Sequence, residues 1–111
     1  MKKFIVLMAA ISGLLVLSQC WQHRSKAVTQ DEGAKLFGDY CAGCHSITGR
    51  GGPSQIPGFN APDLRKFKKS QAELEQIISN GYGKMPAFAD SASTAEIAMI
   101  AQYVATDIEQ H

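Results

Sequence analysis

Cys41-Ala42-Gly43-Cys44-His45 is the stretch on which the reading of this 111-residue chain turns. Two thiols stand three positions apart, and an imidazole follows the second directly. On a helical turn, residues three apart lie on one face, so both sulfurs project the same way. Such a pair can bond covalently to two points on one flat partner. The imidazole that follows then lies beneath that partner and offers its Nε2 to whatever sits at the centre.

C-x-x-C-H is the attachment spacing of c-type haem. Each thiol adds to one vinyl group of a single porphyrin, and the thioethers make the cofactor permanent. Cys41 and Cys44 are therefore the expected covalent haem-binding residues, and His45 the expected proximal iron ligand. Three other chemistries compete for the motif. A dithiol redox centre would place C-x-x-C beside a βαβ unit, which this sequence does not offer. A zinc site needs four ligands, and only Cys20, His23 and His111 remain, at the far ends of the chain. A plain disulfide would leave His45 without a role.

The flanking sequence reads as helices and loops. Thr29 with Glu32 forms a capping box, and a first helix starts near Gln30, with Gly33, Leu36, Phe37, Tyr40, Cys41 and Cys44 along one face. Residues 46–62 hold seven Gly or Pro and read as a loop. Ser70 with Glu73 opens a second helix with Leu74, Ile77 and Ile78 inward, and Asn80-Gly81 stops it. Ser93 with Glu96 opens a last helix striped by Ile97, Ile100, Ala101, Val104 and Ile108. No segment alternates convincingly with period two. The expected class is all-α, with three main helices and short turns wrapped around one covalent haem.

An iron that only passes electrons takes a second axial ligand. Met85, Met99, His23 and His111 are the candidates. Met99 falls inside the last helix, where a methionine commonly fills core space. His23 lies in a tether and His111 at the terminus. Met85 lies in the irregular segment Gly81-Tyr82-Gly83-Lys84-Met85-Pro86, whose glycines allow unusual dihedrals and whose proline stiffens the exit. Met85 is the expected distal ligand. The expected apolar shell is Leu36, Phe37, Tyr40, Phe59, Leu64, Phe67, Leu74, Ile78, Phe88, Ile97 and Val104.

The chain opens with Lys2 and Lys3, then runs uncharged from Phe4 to Leu17. That stretch is short against the ~20 apolar residues of a membrane span and suits the apolar core of an export signal. Residues 1–19 are read as that signal, 20–29 as a tether, and 30–111 as the haem domain. Export places the domain in an oxidising compartment. Without residues 1–19, nine basic residues face ten acidic ones, a net charge of −1. That balance gives no reason to expect a nucleic-acid partner. Leu64-Arg65-Lys66-Phe67-Lys68-Lys69 carries four positive charges in six residues, and it reads as solvated surface ahead of a docking patch for an acidic partner.

Two resemblances extend the reading. Leu17-Ser18-Gln19-Cys20 resembles the lipobox of bacterial lipoproteins, which implies lipidation at Cys20 and attachment to the periplasmic side of a bacterial membrane. Gln19 departs from the small residue usual there, and cleavage after Ser25-Lys26-Ala27 or an uncleaved anchor are the alternatives. Residues 29–109 resemble a small bacterial class I cytochrome c. Gly33 and Phe37, eight and four residues before Cys41, match that family's first helix. Asn80 to Phe88 resembles its distal-ligand loop, and Tyr103 its last-helix aromatic that meets the first-helix glycine. The resemblance implies one haem c, redox protein partners, no small-molecule substrate, and a carrier rather than an enzyme. It also implies a proline carbonyl that accepts the proximal imidazole's other N–H, from Pro53, Pro57 or Pro62.

One-electron transfer is the leading function. A haem subunit of a larger dehydrogenase or oxidase has the same motifs. A five-coordinate haem peroxidase or gas sensor would require Met85 to leave the iron free.

Overall fold

The computed structural model describes residues 30–108. The signal over 1–19, Cys20, the tether, His23, the cleavage site at Ala27, the Thr29 cap and His111 lie outside them. Helix α1 runs over residues 30–40 and continues after a kink at Cys41 into α2, Ala42–His45. Helix α3 spans Gln71–Asn80 and α4 spans Thr94–Thr106. A short 3-10 turn, Leu64–Lys66, follows the loop after α2. The all-α expectation holds, with one departure. The segment read as plain loop contains a two-residue antiparallel ladder, β1 (Gly52–Pro53) and β2 (Asn60–Ala61), paired Gly52 to Ala61 and Pro53 to Asn60. Ser54 holds it closed. Its backbone N–H and its Oγ both donate to the Phe59 carbonyl, at 3.0 and 2.9 Å.

Of the three expected capping boxes, the two that lie within the described residues form. Ser70 Oγ accepts from the Glu73 N–H, and the Glu73 carboxylate accepts from the Ser70 N–H at 2.9 Å and from its Oγ at 2.8 Å. Glu96 repeats the arrangement on Ser93 at 2.7 and 2.8 Å. α3 stops at Gly81, whose φ of +77° suits a residue without Cβ and whose N–H donates to the Ile77 carbonyl at 2.9 Å.

The core gathers the inward stripes of α1, α3 and α4: Leu36 and Phe37, then Leu74 and Ile78, then Ile97, Ile100, Ala101, Tyr103 and Val104. Phe37, Ile100 and Ile108 are fully buried, and burying an apolar side chain of this kind contributes about 1.5–3 kcal/mol. α1 and α4 approach closely at Gly33. A Cβ there would stand 2.6 Å from the Met99 carbonyl oxygen and 3.0 Å from the Tyr103 Cβ. One turn on, the Phe37 and Tyr103 rings pack with centroids 5.5 Å apart. Met99 is half-buried against this core, as a core filler would be.

The cationic run is surface, but it is not bare charge. Asp63 caps the 3-10 turn and takes the Arg65 guanidinium on both oxygens, at 2.9 and 2.7 Å, with Lys66 3.7 Å away. Lys69 lies 3.7 Å from Glu73. Phe67, expected among the haem's apolar neighbours, is nearly half exposed. It closes the 3-10 turn with its backbone N–H and leads into an exposed stretch of lysines.

These carboxylates make stability depend on acid. The Arg65 side chain bonded to Asp63 holds that carboxyl near 2, from an ordinary 3.8. The Ser70 and Ser93 backbone N–H groups, with their hydroxyls, hold Glu73 and Glu96 below the usual 4.5. A lowered folded pKa stabilises above the unfolded value and loses that contribution as pH falls through the folded one. The urea midpoint should hold from pH 7 to about 5 and fall steadily toward pH 2, with a shallower fall in Glu96→Gln. A midpoint independent of pH down to 3 would contradict this role for the caps.

Candidate functional site

α1 carries the motif into place. The Cys41 N–H donates to the Phe37 carbonyl at 2.9 Å, and the His45 N–H to the Cys41 carbonyl at 2.9 Å, so helical bonding runs through the kink. Cys41 and Cys44 are both free thiols, Cys41 buried and Cys44 half-buried. Burial, with the neighbouring Cys44, pushes the Cys41 thiol up to about 12. The attacking sulfur of a dithiol oxidoreductase needs the opposite shift, because its thiolate is the nucleophile. Among the described residues, no cluster of three His, Cys, Asp or Glu side chains could hold a metal ion. The shift at Cys41 runs against the dithiol reading of C-x-x-C-H.

His45 is buried, and its Nδ1 lies 3.3 Å from the Pro62 carbonyl oxygen. A carbonyl only accepts, so Nδ1 carries the proton and donates, which leaves Nε2 with its lone pair. Burial lowers the imidazole's pKa, with the Pro62 bond opposing in part. The neutral ring that results is the metal-binding form. Of the three prolines open in the sequence, Pro62 supplies the carbonyl. The fold brings it there because Leu64 N–H bonds to the Gly49 carbonyl at 2.8 Å and Gly51 N–H to the His45 carbonyl at 2.8 Å, which draws the strand end back over the helix.

Met85 is half-buried and packs against the core. Its loop is tightly defined. Tyr82 and Met85 exchange backbone bonds at 3.1 and 2.9 Å, and Phe88 N–H donates to the Ile78 carbonyl at 2.9 Å. Gly81, which the sequence marks as a helix stop and as a loop glycine free to take unusual dihedrals, also makes room for the loop. A Cβ there would stand 2.6 Å from the Met85 carbonyl oxygen and 2.9 Å from the Ala87 nitrogen. The loop can fold back on the end of α3 only over a glycine, and the N-G step was the signal available for it.

The donor set suits a haem: two free thiols three residues apart, a neutral imidazole with a free Nε2, and a thioether in a fixed loop. The comparisons agree. The family model described as cytochrome C oxidase, cbb3-type, subunit III matches residues 28–104. The chain belongs to the cytochrome c family. This cytochrome is 30% identical to cytochrome c6 of Picosynechococcus sp., over its whole length and 98% of that protein. It is 28% identical to cytochrome c-551 of Bacillus subtilis, over 76% of this chain and 80% of that one. It is 37% identical to the chloroplastic cytochrome c6 of Chlamydomonas reinhardtii over 65% of this chain, and spans half of that protein. As a member of the family it is a haem-based electron-transfer protein with one covalently bound haem c, and not an enzyme. No helix among the described residues is long and apolar enough to cross a membrane.

Proposed function

We propose that Cys41 and Cys44 would hold the haem through thioethers, that His45 and Met85 would supply the two protein ligands to its iron, and that the protein carries single electrons between redox proteins outside the cytoplasm. The observation that supports this most is the His45–Pro62 bond, which orients the imidazole and leaves Nε2 to the metal. The haem supplies a one-electron Fe(III)/Fe(II) couple. The chain's own part is to set its surroundings. The Pro62 carbonyl fixes the His45 tautomer and raises its basicity. Met85 brings a soft thioether that favours the reduced metal, and a histidine–methionine pair raises the potential. The core around Leu36, Phe37, Leu74 and Ile78 keeps water away, which disfavours extra positive charge. Two fixed protein ligands in both oxidation states keep structural rearrangement small.

The ferric visible spectrum tests the ligand pair. A methionine-to-iron charge-transfer band, with slow CO binding to the reduced protein, is expected. A missing band with rapid CO binding would favour a five-coordinate haem. The lipobox-like segment supports lipidation at Cys20 and attachment to the periplasmic side of a bacterial membrane. Cys20→Ser should then release the protein from membranes, and unchanged retention would exclude the lipid as the anchor.

A second reading has one observation behind it, the description of the matching family model as an oxidase subunit. A haem subunit of a larger complex would co-purify with its large partner. The near-complete span of the cytochrome c6 relative supports a carrier that works alone.

A further inference from the structure

Lys84 lies next to Met85 at the tip of the ligand loop, on the exposed side. Its ammonium sits 5.7 Å from the centroid of the Phe59 ring. Phe59 belongs to the opposite loop, between β1 and β2, and leads through Ala61 to the Pro62 carbonyl that bonds His45. Its backbone is pinned on both sides. The carbonyl accepts from the Ser54 N–H and Oγ, and the N–H donates to the Ile56 carbonyl at 3.1 Å. Among the described residues no carboxylate pairs with Lys84, although Arg65, Lys66 and Lys69 each have one. An aromatic face attracts a cation within about 6 Å through its quadrupole.

We propose that Lys84 is a positioning residue, a latch that ties the Met85 loop to the His45–Pro62 side through the Phe59 ring and so keeps the methionine on the iron. The inference rests on Met85 as the distal ligand. The Tyr82–Met85 bonds fix the shape of the turn, and the Gly81–Ile77 and Phe88–Ile78 bonds tie its two ends to α3, but none of these bonds joins it to the His45–Pro62 side. Lys84 reaches out of the turn to the Phe59 ring, whose backbone is pinned. Each opening of the loop breaks that contact, so its loss raises the open population. At an exposed site the change is about two- to fivefold.

The test uses the haem-loaded protein. Imidazole is titrated into the ferric form, and displacement of methionine is read from the charge-transfer band, with the reduction potential measured alongside. Lys84→Gln should bind imidazole about two- to fivefold more tightly. Phe59→Leu should do the same, and the double variant no more than either alone. Lys84→Arg should stay near the parent, because a guanidinium also stacks on the ring. Parental affinity in Lys84→Gln, multiplying effects in the double variant, or failure of arginine to rescue would each overturn the latch. A parent protein without the methionine band overturns the ligand reading itself, and the latch with it.

Discussion

Met85→Ala should lower the reduction potential on the order of 0.1–0.3 V, a fraction of the ~0.8 V range over which axial ligands set haem potentials. The direction follows from the ligand. A thioether is soft and neutral and stabilises the reduced metal, while the water or hydroxide that replaces it favours the oxidised one. The same substitution should let CO bind the reduced protein rapidly and remove the charge-transfer band. The fold should survive, because Met85 sits at the margin of the core and its loop is held by backbone bonds to Tyr82 and by Phe88 on Ile78. An unchanged potential would move the distal role to another side chain. Met99 is the alternative within the described residues, and its place among the helix contacts of α1 and α4 argues against it.

Gly33→Ala is expected to destabilise the protein by about 1–3 kcal/mol, the usual cost of overpacking. The sign is informative. In a helix interior, alanine is ~1 kcal/mol better than glycine, so a merely tolerated glycine would give a more stable variant. Here the added methyl would meet the Met99 backbone oxygen at 2.6 Å, and a carbonyl in the middle of α4 has no cheap way to retreat. The helices must separate, and the Phe37–Tyr103 contact loosens with them. In a domain of this size each kcal/mol lowers the melting temperature by about 4–8 °C. Thermal unfolding followed by circular dichroism measures it, and a rise in melting temperature would show that the helices do not depend on that close approach.

The features legible in the sequence are those written in local chemistry. Ser70 with Glu73 and Ser93 with Glu96 announce their helices because a capping box joins residues three apart. The stripe from Ile97 to Val104 on α4, continued by Ile108 just past the helix end, shows because helical periodicity survives without knowledge of partners, and all five of its residues are buried. Gly33 and Tyr103 were legible through the family resemblance, which supplied a long-range pairing that no local pattern contains. Other features leave no such trace. The β1–β2 ladder rests on Ser54 and on glycines rather than on alternating side chains, so it has no period to detect. Pro62 could not be told from Pro53 or Pro57, because the acceptor is a backbone carbonyl and every residue has one. The cations after Asp63 read as solvated surface, and their pairing left no trace in the sequence because it depends on how a 3-10 turn folds Arg65 back. Lys84 and Phe59 meet only through tertiary structure.

Intact mass measurement of the exported protein, under denaturing conditions, tests the covalent haem most directly. The expected mass is that of the processed chain plus one haem, reduced to the bare chain when Cys41 and Cys44 are both replaced by serine. A red-free protein whose parent mass already equals the bare chain, when matured in a host that assembles c-type cytochromes, would contradict the account.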